Sequence, residues 1–183
     1  FNTRFISCEA RTMSTIHELN LNDLADYQRL VTEAIHNEHF VYAWGLYDES
    51  HIPPEYLDHL LSQDSPVEKV IGLHVDDELV GVATLINSHV YGLRHKAILQ
   101  NMCVKMIDHY ASQELADDLM KYIIQYCQER DIEILMTSIA SNNISAKIFY
   151  RNYNFETLGV EKHARKLGTR YIDEHWLVSD IKK

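Results

Sequence analysis

Apolar and polar residues alternate along this chain in two periods. From Leu24 the apolar positions Leu24, Tyr27, Leu30, Val31, Ala34 and Ile35 share one helical face, which predicts a helix over LADYQRLVTEAIHNEHF capped by Asn22 or Asp23. Pro53 and Pro54 suit the first turn of a second, shorter helix, EYLDHLL, where proline's missing N–H is not needed. Then the period changes. KVIGLHVDDELVGVATLI is two apolar runs around Asp76-Asp77-Glu78, which predicts a hairpin, and HKAILQNMCVKM follows a turn near Gly92 as another strand. Apolar positions 115, 119, 122, 123 and 126 restore the helical period. IEILMTS then reads as a buried strand, a helix follows from Asn143, and FETLGVEKHARK and RYIDEHWLV read as paired strands around Gly168. With a short strand at Ser14–Leu19 in front, the order is β-α-α-β-β-β-α-β-α-β-β, one mixed α/β domain without repeats or linkers. Residues 1–12 show no clear period; Met13 reads as a native start, and what precedes it as an extension, native or appended.

Composition narrows the function classes. A chain of 183 residues with 46% apolar content suits one domain that buries roughly two thirds of its unfolded surface. No run approaches the ~18 apolar residues of a membrane span, and no basic start leads into an apolar stretch, so neither a membrane segment nor a secretory leader is expected. Cys8, Cys103 and Cys127 are odd in number and widely spaced, which reads as buried thiols in a reducing cytoplasm. The formal charge of −10 argues against nucleic-acid binding and mildly favours a cationic small molecule or protein partner. His36 and His39 share a helix face, but no HExxH or Cys-His spacing accompanies them, so a surface or subunit-contact role is expected and no metal site.

The stretch SNNISAKIFYRNYNFETLG places two asparagines at a helix start and Tyr150 two turns along it. Asn143, or Asn142 in its place, can cap the helix by accepting a first-turn N–H. Packing alone reads Tyr150 as a core tyrosine whose hydroxyl finds a buried partner. The words Asn143, Ala146, Phe149-Tyr150 and Tyr153-Asn154-Phe155, with the hairpin ELVGVATL and the ending EKHARKLGTRYIDEHWLV, resemble the GNAT superfamily of acyl-CoA-dependent N-acyltransferases, in its amino-group acetyltransferase branch. The resemblance covers nearly all of Ser14–Lys183. It implies a single GNAT-like domain over 13–183, with a central mixed sheet of six to seven strands flanked by about four helices. It also implies acetyl-CoA as acyl donor, a small amine or peptide as acceptor, no metal, and a cytoplasmic location. Oligomeric state stays open, a homodimer among the options.

By that resemblance Tyr150 would protonate the leaving thiolate, which neutral water does poorly because a thiol's pKa is near 8.5. Met102, Cys103 and Val104 would pair their main chain with the pantetheine arm, and the Asn143 amide would bond it. If Asn142 caps the helix, Asn143 is free for that bond. The family's pyrophosphate loop, Arg-Gly-x-Gly-x-Gly, aligns with Ala111-Ser112-Gln113-Glu114-Leu115-Ala116, where the arginine and every glycine are gone. Ser112, Gln113, Glu114, Leu115 and Ala116 would hold the pyrophosphate through main-chain N–H groups, against the negative charge of Glu114. The whole chain is glycine-poor, 6 in 183, with Asp76-Asp77, Asp131 and Asn154 at turns where glycine is usual. Asn and Asp best tolerate the left-handed conformation such turns need. A catalytically silent relative, or an enzyme using another acyl donor or a carrier protein, are the rival readings.

An amine must lose a proton before it attacks, and HKAILQNMCVKM has no carboxylate. Water held by Gln100, Asn101 and main-chain carbonyls, with Asp108 and His109 just beyond, is the expected acceptor of that proton. His163, Asp173 and Glu174 are secondary candidates, the last two reading equally as an exposed pair on an edge strand. Cys103 has apolar flanks that favour an inert core thiol over a nucleophile. Phe40, Tyr42, Trp44 and Tyr47 line an acceptor pocket, a core or a dimer surface.

Overall fold

Alternation over Lys69–Ile86 does fold as a hairpin, and the residues that turn it explain how so few glycines suffice. Asp76 and Asp77 both adopt positive φ, +49° and +64°, the conformation of a tight hairpin turn. Asp131 (+58°) and Asn154 (+61°) do the same at the two other turns where the sequence substitutes for glycine. A short polar side chain can bond locally there and offset part of the steric cost.

The computed structural model describes residues 14–36, 40–41, 54–62, 65–105 and 112–182. Residues 1–13, His39, Tyr42, Trp44, Tyr47, Asp108, His109 and Ala111 lie outside the described residues, as do the side chains of His36, Phe40, Ser112 and Gln113. The elements are β1 (Ser14–Glu18), α1 (Leu24–His36), β2 (Phe40–Val41), α2 (Pro54–Leu61), β3 (Glu68–Val75), β4 (Glu78–Ile86), β5 (Lys96–Lys105), α3 (Ser112–Gln128), β6 (Ile134–Ala140), α4 (Ile144–Arg151), β7 (Glu156–Leu167) and β8 (Arg170–Asp180). This is the order read from the sequence, with the two-residue β2 added. Seven strands run β1-β3-β4-β5-β6-β8-β7 across one mixed sheet, and β2 pairs with β5 beside that path. The β5–β6 pair is parallel, as it must be when a helix, α3, carries the chain back between them.

The helix expected at Leu24 starts differently. Asn20, not Asn22 or Asp23, is the cap: its side chain accepts the Asn22 N–H at 2.9 Å while Asp23 Oδ2 accepts the Asn20 N–H at 2.9 Å. This reciprocal box closes a single 3-10 turn, Leu21–Asp23, that runs straight into α1.

Two cores form, one on each side of the sheet. Tyr27, Leu30, Val31 and Ala34 of α1 and Leu57, Leu60 and Leu61 of α2 pack on Val70, Leu79, Val82 and Cys103. On the other side Leu115, Ala116, Leu119, Met120 and Ile123 of α3, with Ala146, Phe149 and Tyr150 of α4, cover Leu99, Met102, Val104, Leu135, Ile139 and Leu177. By alternation Ser138, Ala140, Glu174 and Trp176 take the face away from α3 and α4. That face is mixed, since Ile134, Met136 and Val178 share it with Ser138 and Glu174. β8 lies between β6 and β7, so Asp173 and Glu174 are not on an edge strand; Glu174 is buried and ion-paired with Arg165.

Candidate functional site

The sheet opens where its two parallel strands part. β5 and β6 pair in register only from Lys96–Ile134 to Leu99–Thr137 among the described residues. Beyond that point β6 stays paired with β8 as far as Ala140, and β5 stays paired with β4 as far as Val104. A bulge starts the divergence. Val82 faces Cys103 and Thr84 faces Gln100, so Ala83 is opposed by both Asn101 and Met102, and Asn101 takes φ +52°. An extra residue bends and twists its strand, here away from β6. Further on, β2 pairs with Val104 and Lys105 along the edge that β6 has left. Main-chain N–H and C=O groups of Gln100–Cys103 thus border a gap between β2 and the end of the parallel ladder. Such groups need partners, and a linear amide-bearing ligand supplies them. Binding at the carboxyl ends of parallel strands is the general rule for open α/β sheets.

Tyr150 meets β5 at this bulge. It is fully buried, its ring edge-on to Phe155 at 5.1 Å and to Phe149 at 5.3 Å. Its hydroxyl donates to Met102 Sδ at 3.7 Å. Two residues singled out from the sequence, 48 positions apart, therefore meet at the bulge, and the phenolic proton is directed at a sulfur. A thioether is a weak acceptor; a thiolate at the same place would be a strong one.

Asn143 is the cap of α4. Its Oδ1 accepts the Ala146 N–H at 3.1 Å and the Ser145 hydroxyl at 3.2 Å. The expectation that Asn142 caps and leaves Asn143 entirely free is therefore not met: Asn142 is exposed, and Asn143 keeps only its NH₂ for a ligand.

At the start of α3 the side chains of Leu115 and Ala116 are wholly buried, and the first turn of a helix leaves its main-chain N–H groups without intrahelical partners. Glu114 is exposed and brings its carboxylate into the first turn. Those N–H groups and the helix dipole favour an anion, and the carboxylate opposes it. Cys103 points to the opposite core, among α1 and α2 residues, and burial pushes its thiol up to about 12. It holds no thiolate at neutral pH and is no nucleophile.

The secondary candidates cluster at the far strands. His163 sits in a second bulge, φ +53°, with its N–H donated to Asp173 Oδ1 at 2.8 Å. Lys162 Nζ bonds Asp173 Oδ2 at 3.1 Å, and these two donors hold the Asp173 carboxyl below its ordinary range. Arg165, Arg170, Tyr171 and Ser138 were not singled out from the sequence, though alternation along RYIDEHWLV marks which of its residues share a face. Among the described residues no cluster of His, Cys, Asp and Glu could hold a metal ion.

Residues 16–176 match the family model of the acetyltransferase (GNAT) domain. Among solved structures, a probable acetyltransferase from Staphylococcus epidermidis ATCC 12228 superposes with a TM-score of 0.81 at 40% identity, over 92% of this chain and 99% of that one. An N-acetyltransferase from Staphylococcus aureus Mu50 superposes at 0.70 with 29% identity, over 92% and 98% of the two chains. The ribosomal-protein-S18-alanine N-acetyltransferase from Escherichia coli, 16% identical over 93% and 96%, shares the fold at a TM-score of 0.68. No curated protein matches the chain.

Proposed function

Because the chain belongs to the GNAT acetyltransferase family, we propose that it moves an acetyl group from acetyl-CoA to a primary amine of a small molecule or peptide by direct attack. Acetyl-CoA supplies the thioester carbonyl that the amine attacks and the sulfur that leaves. The main chain of Met102 and Cys103, freed from β6 by the bulge, pairs with the amides of the pantetheine arm, next to Val104, whose place on that edge is taken by Val41 of β2. The Asn143 NH₂ adds a bond once its oxygen is spent on the cap. Main-chain N–H groups of Ser112, Gln113, Glu114, Leu115 and Ala116 hold the pyrophosphate. Tyr150 gives its phenolic proton to the departing sulfur and regains one through water, and water beside Gln100 and Asn101 takes the proton that the amine loses. No metal enters this scheme. The buried free thiols Cys103 and Cys127 favour a cytoplasmic setting.

The observation that carries the reading is the Tyr150 hydroxyl aimed at a sulfur where β5 leaves β6. The rival reading, a catalytically silent relative, rests on the exposed Glu114 carboxylate at the anion end of α3. Calorimetric titration with acetyl-CoA, on wild type and Glu114→Gln, separates them. Binding by both proteins is expected, with the variant about fivefold tighter, since one unit charge several ångströms away in water amounts to roughly 1 kcal/mol. A following amine panel should release free thiol. No heat at millimolar acetyl-CoA from either protein retires the transferase.

A further inference from the structure

We propose that the acceptor amine carries an anionic group, a carboxylate or a phosphate, gripped by Arg170 in the cavity between the β7–β8 hairpin and the start of α4. This rests on the N-acetyltransferase reading and names the class of its second substrate. The cavity, about 450 Å³, is lined by Ser141, Asn142, His163, Arg170, Tyr171 and Asp173. It lies just past the carboxyl end of β6, on the side where β6 stays paired with β8 and the Ser141 N–H donates to the Asp173 carbonyl at 2.9 Å.

The charge pattern picks the ligand. This is an acidic chain of net −10, yet Lys162, Arg165, Lys166 and Arg170 fall within one hairpin. A local cationic patch in an anionic protein concentrates anions at that place. Most of these cations already have work within the fold. Lys162 is paired with Asp173 and Arg165 with Glu174, while Lys166 stands 5.6 Å over the Tyr171 ring. Arg170 has no carboxylate partner among the described residues, and it lines the cavity. The nearby Asp173 does not compete for it, because its two oxygens take the Lys162 ammonium and the His163 N–H. That same N–H bond holds the His163 bulge, and the His163 ring rests 4.7 Å from Tyr171 as a flat wall. A guanidinium fork lining the same cavity suits a planar carboxylate bidentately and a phosphate nearly as well.

Reach sets the length of the ligand. The cavity touches Asn142, one residue before the α4 cap, and Tyr150 lies seven residues beyond that cap, roughly 10 Å along the axis at about 1.5 Å per residue. Amine and anion are therefore several bonds apart, as in an acidic dipeptide.

The test compares matched acceptors on wild type, Arg170→Gln and Arg170→Lys: an acidic dipeptide against its carboxamide-capped counterpart, and phosphoethanolamine against ethanolamine. Thiol release gives kcat and KM separately, and calorimetry with the N-acetylated acidic dipeptide gives binding without turnover. Wild type should favour the anionic member of a pair by about tenfold, in KM and not in kcat, because a charge-assisted bond to an ion is lost with the neutral one. Arg170→Gln should erase the preference and Arg170→Lys restore part of it; melting temperatures and the KM for acetyl-CoA report whether each variant is intact. The dipeptide and phosphoethanolamine arms tell carboxylate from phosphate. Thiol release without preference, or a preference that survives in Arg170→Gln, overturns this inference and leaves the transferase standing. Product binding that Arg170→Gln abolishes, with no thiol release from any amine, does the reverse. Neither binding nor release removes both.

Discussion

β6 has two neighbours and treats them differently. Against β8 it is paired along its whole length, seven residues from Ile134 to Ala140; against β5 only its first four residues are in register. The side chains beneath these seams are alike, since Leu99, Leu135, Ile139 and Leu177 all belong to one core. What differs is the backbone of the partner. β8 follows β6 to its end, while β5 carries one extra residue at Asn101–Met102 and turns aside. A sheet of uniform apolar character can therefore be sealed along one strand edge and open along the other, and the opening is set by a bulge. The phenol of Tyr150 meets β5 at the open seam, at the Met102 sulfur.

The strongest way to break this comparison is Tyr150→Phe. If the hydroxyl under the open seam donates the proton that releases the thiol, kcat should fall about 100-fold or more, the usual worth of a positioned general acid. The ring, wedged between Phe149 and Phe155, keeps its packing, so unfolding free energy should change by only about 1 kcal/mol, the net value of one hydrogen bond. Steady-state kinetics beside thermal unfolding separates the two effects. Equal turnover by both proteins would leave Tyr150 a core residue.

The contrast with the closed part of the sheet can be sharpened at Gly72. It lies mid-sheet, opposite His17 of β1 and Val82 of β4, and a Cβ there would stand 2.3 Å from Leu19 Cδ2 and 2.8 Å from Leu19 Cγ. Leu19 is 1% exposed and has nowhere to go. Gly72→Ala should cost about 1–3 kcal/mol, the range for an overpacked core. Gly81→Ala, whose Cβ would meet Leu73 and Val104 at 3.3–3.4 Å, should cost less. Urea unfolding midpoints rank the pair, and the order reversed would mean this half of the sheet yields more than its packing implies.

Much of this was legible in the sequence, and the exceptions have a common cause. Helices α1, α3 and α4 announce themselves by apolar spacing, and Tyr150 by its place in a recognisable word. The left-handed turns were readable too, because an Asp or Asn between two apolar runs has few other uses. The bulge at Asn101 was not, although it is the same residue type in the same conformation. Inside an apolar strand an asparagine reads as a polar group reaching for water, and only strand register shows that it displaces a main chain. The β7–β8 ion pairs hid for a similar reason. Glu174 looks exposed until β7 is known to lie outside β8, and which cations are spent on Asp173 and Glu174, Lys162 and Arg165, depends on cross-strand pairing. Local chemistry is written along the chain, whereas partnership across strands is not.

The smallest expected effect sets those two asparagines against each other. Asn154 (φ +61°) is exposed at the end of α4, where its N–H reaches the Arg151 carbonyl at 3.1 Å; Asn101 (φ +52°) is half-buried in the bulge. Glycine removes the Cβ clash at either site but adds freedom to the unfolded chain, so the two terms partly cancel. Asn154→Gly should raise stability by no more than about 0.5–1 kcal/mol, and Asn154→Ala, which keeps the Cβ and loses the local polar group, should lower it by about 1 kcal/mol. Neither should alter kcat, because the Asn154 side chain is exposed and the Phe155 N–H bond to the Tyr150 carbonyl at 3.2 Å, which ties this turn to the phenol, is made by main chain that both variants keep. Asn101→Gly should have a similarly small effect on stability yet lower kcat, since a bulge without its side chain holds the Met102 sulfur and the facing main chain less firmly. Denaturant midpoints and kcat measured on the same three variants decide it. If Asn101→Gly leaves kcat at the wild-type value, the seam's opening does not depend on how tightly its bulge is held.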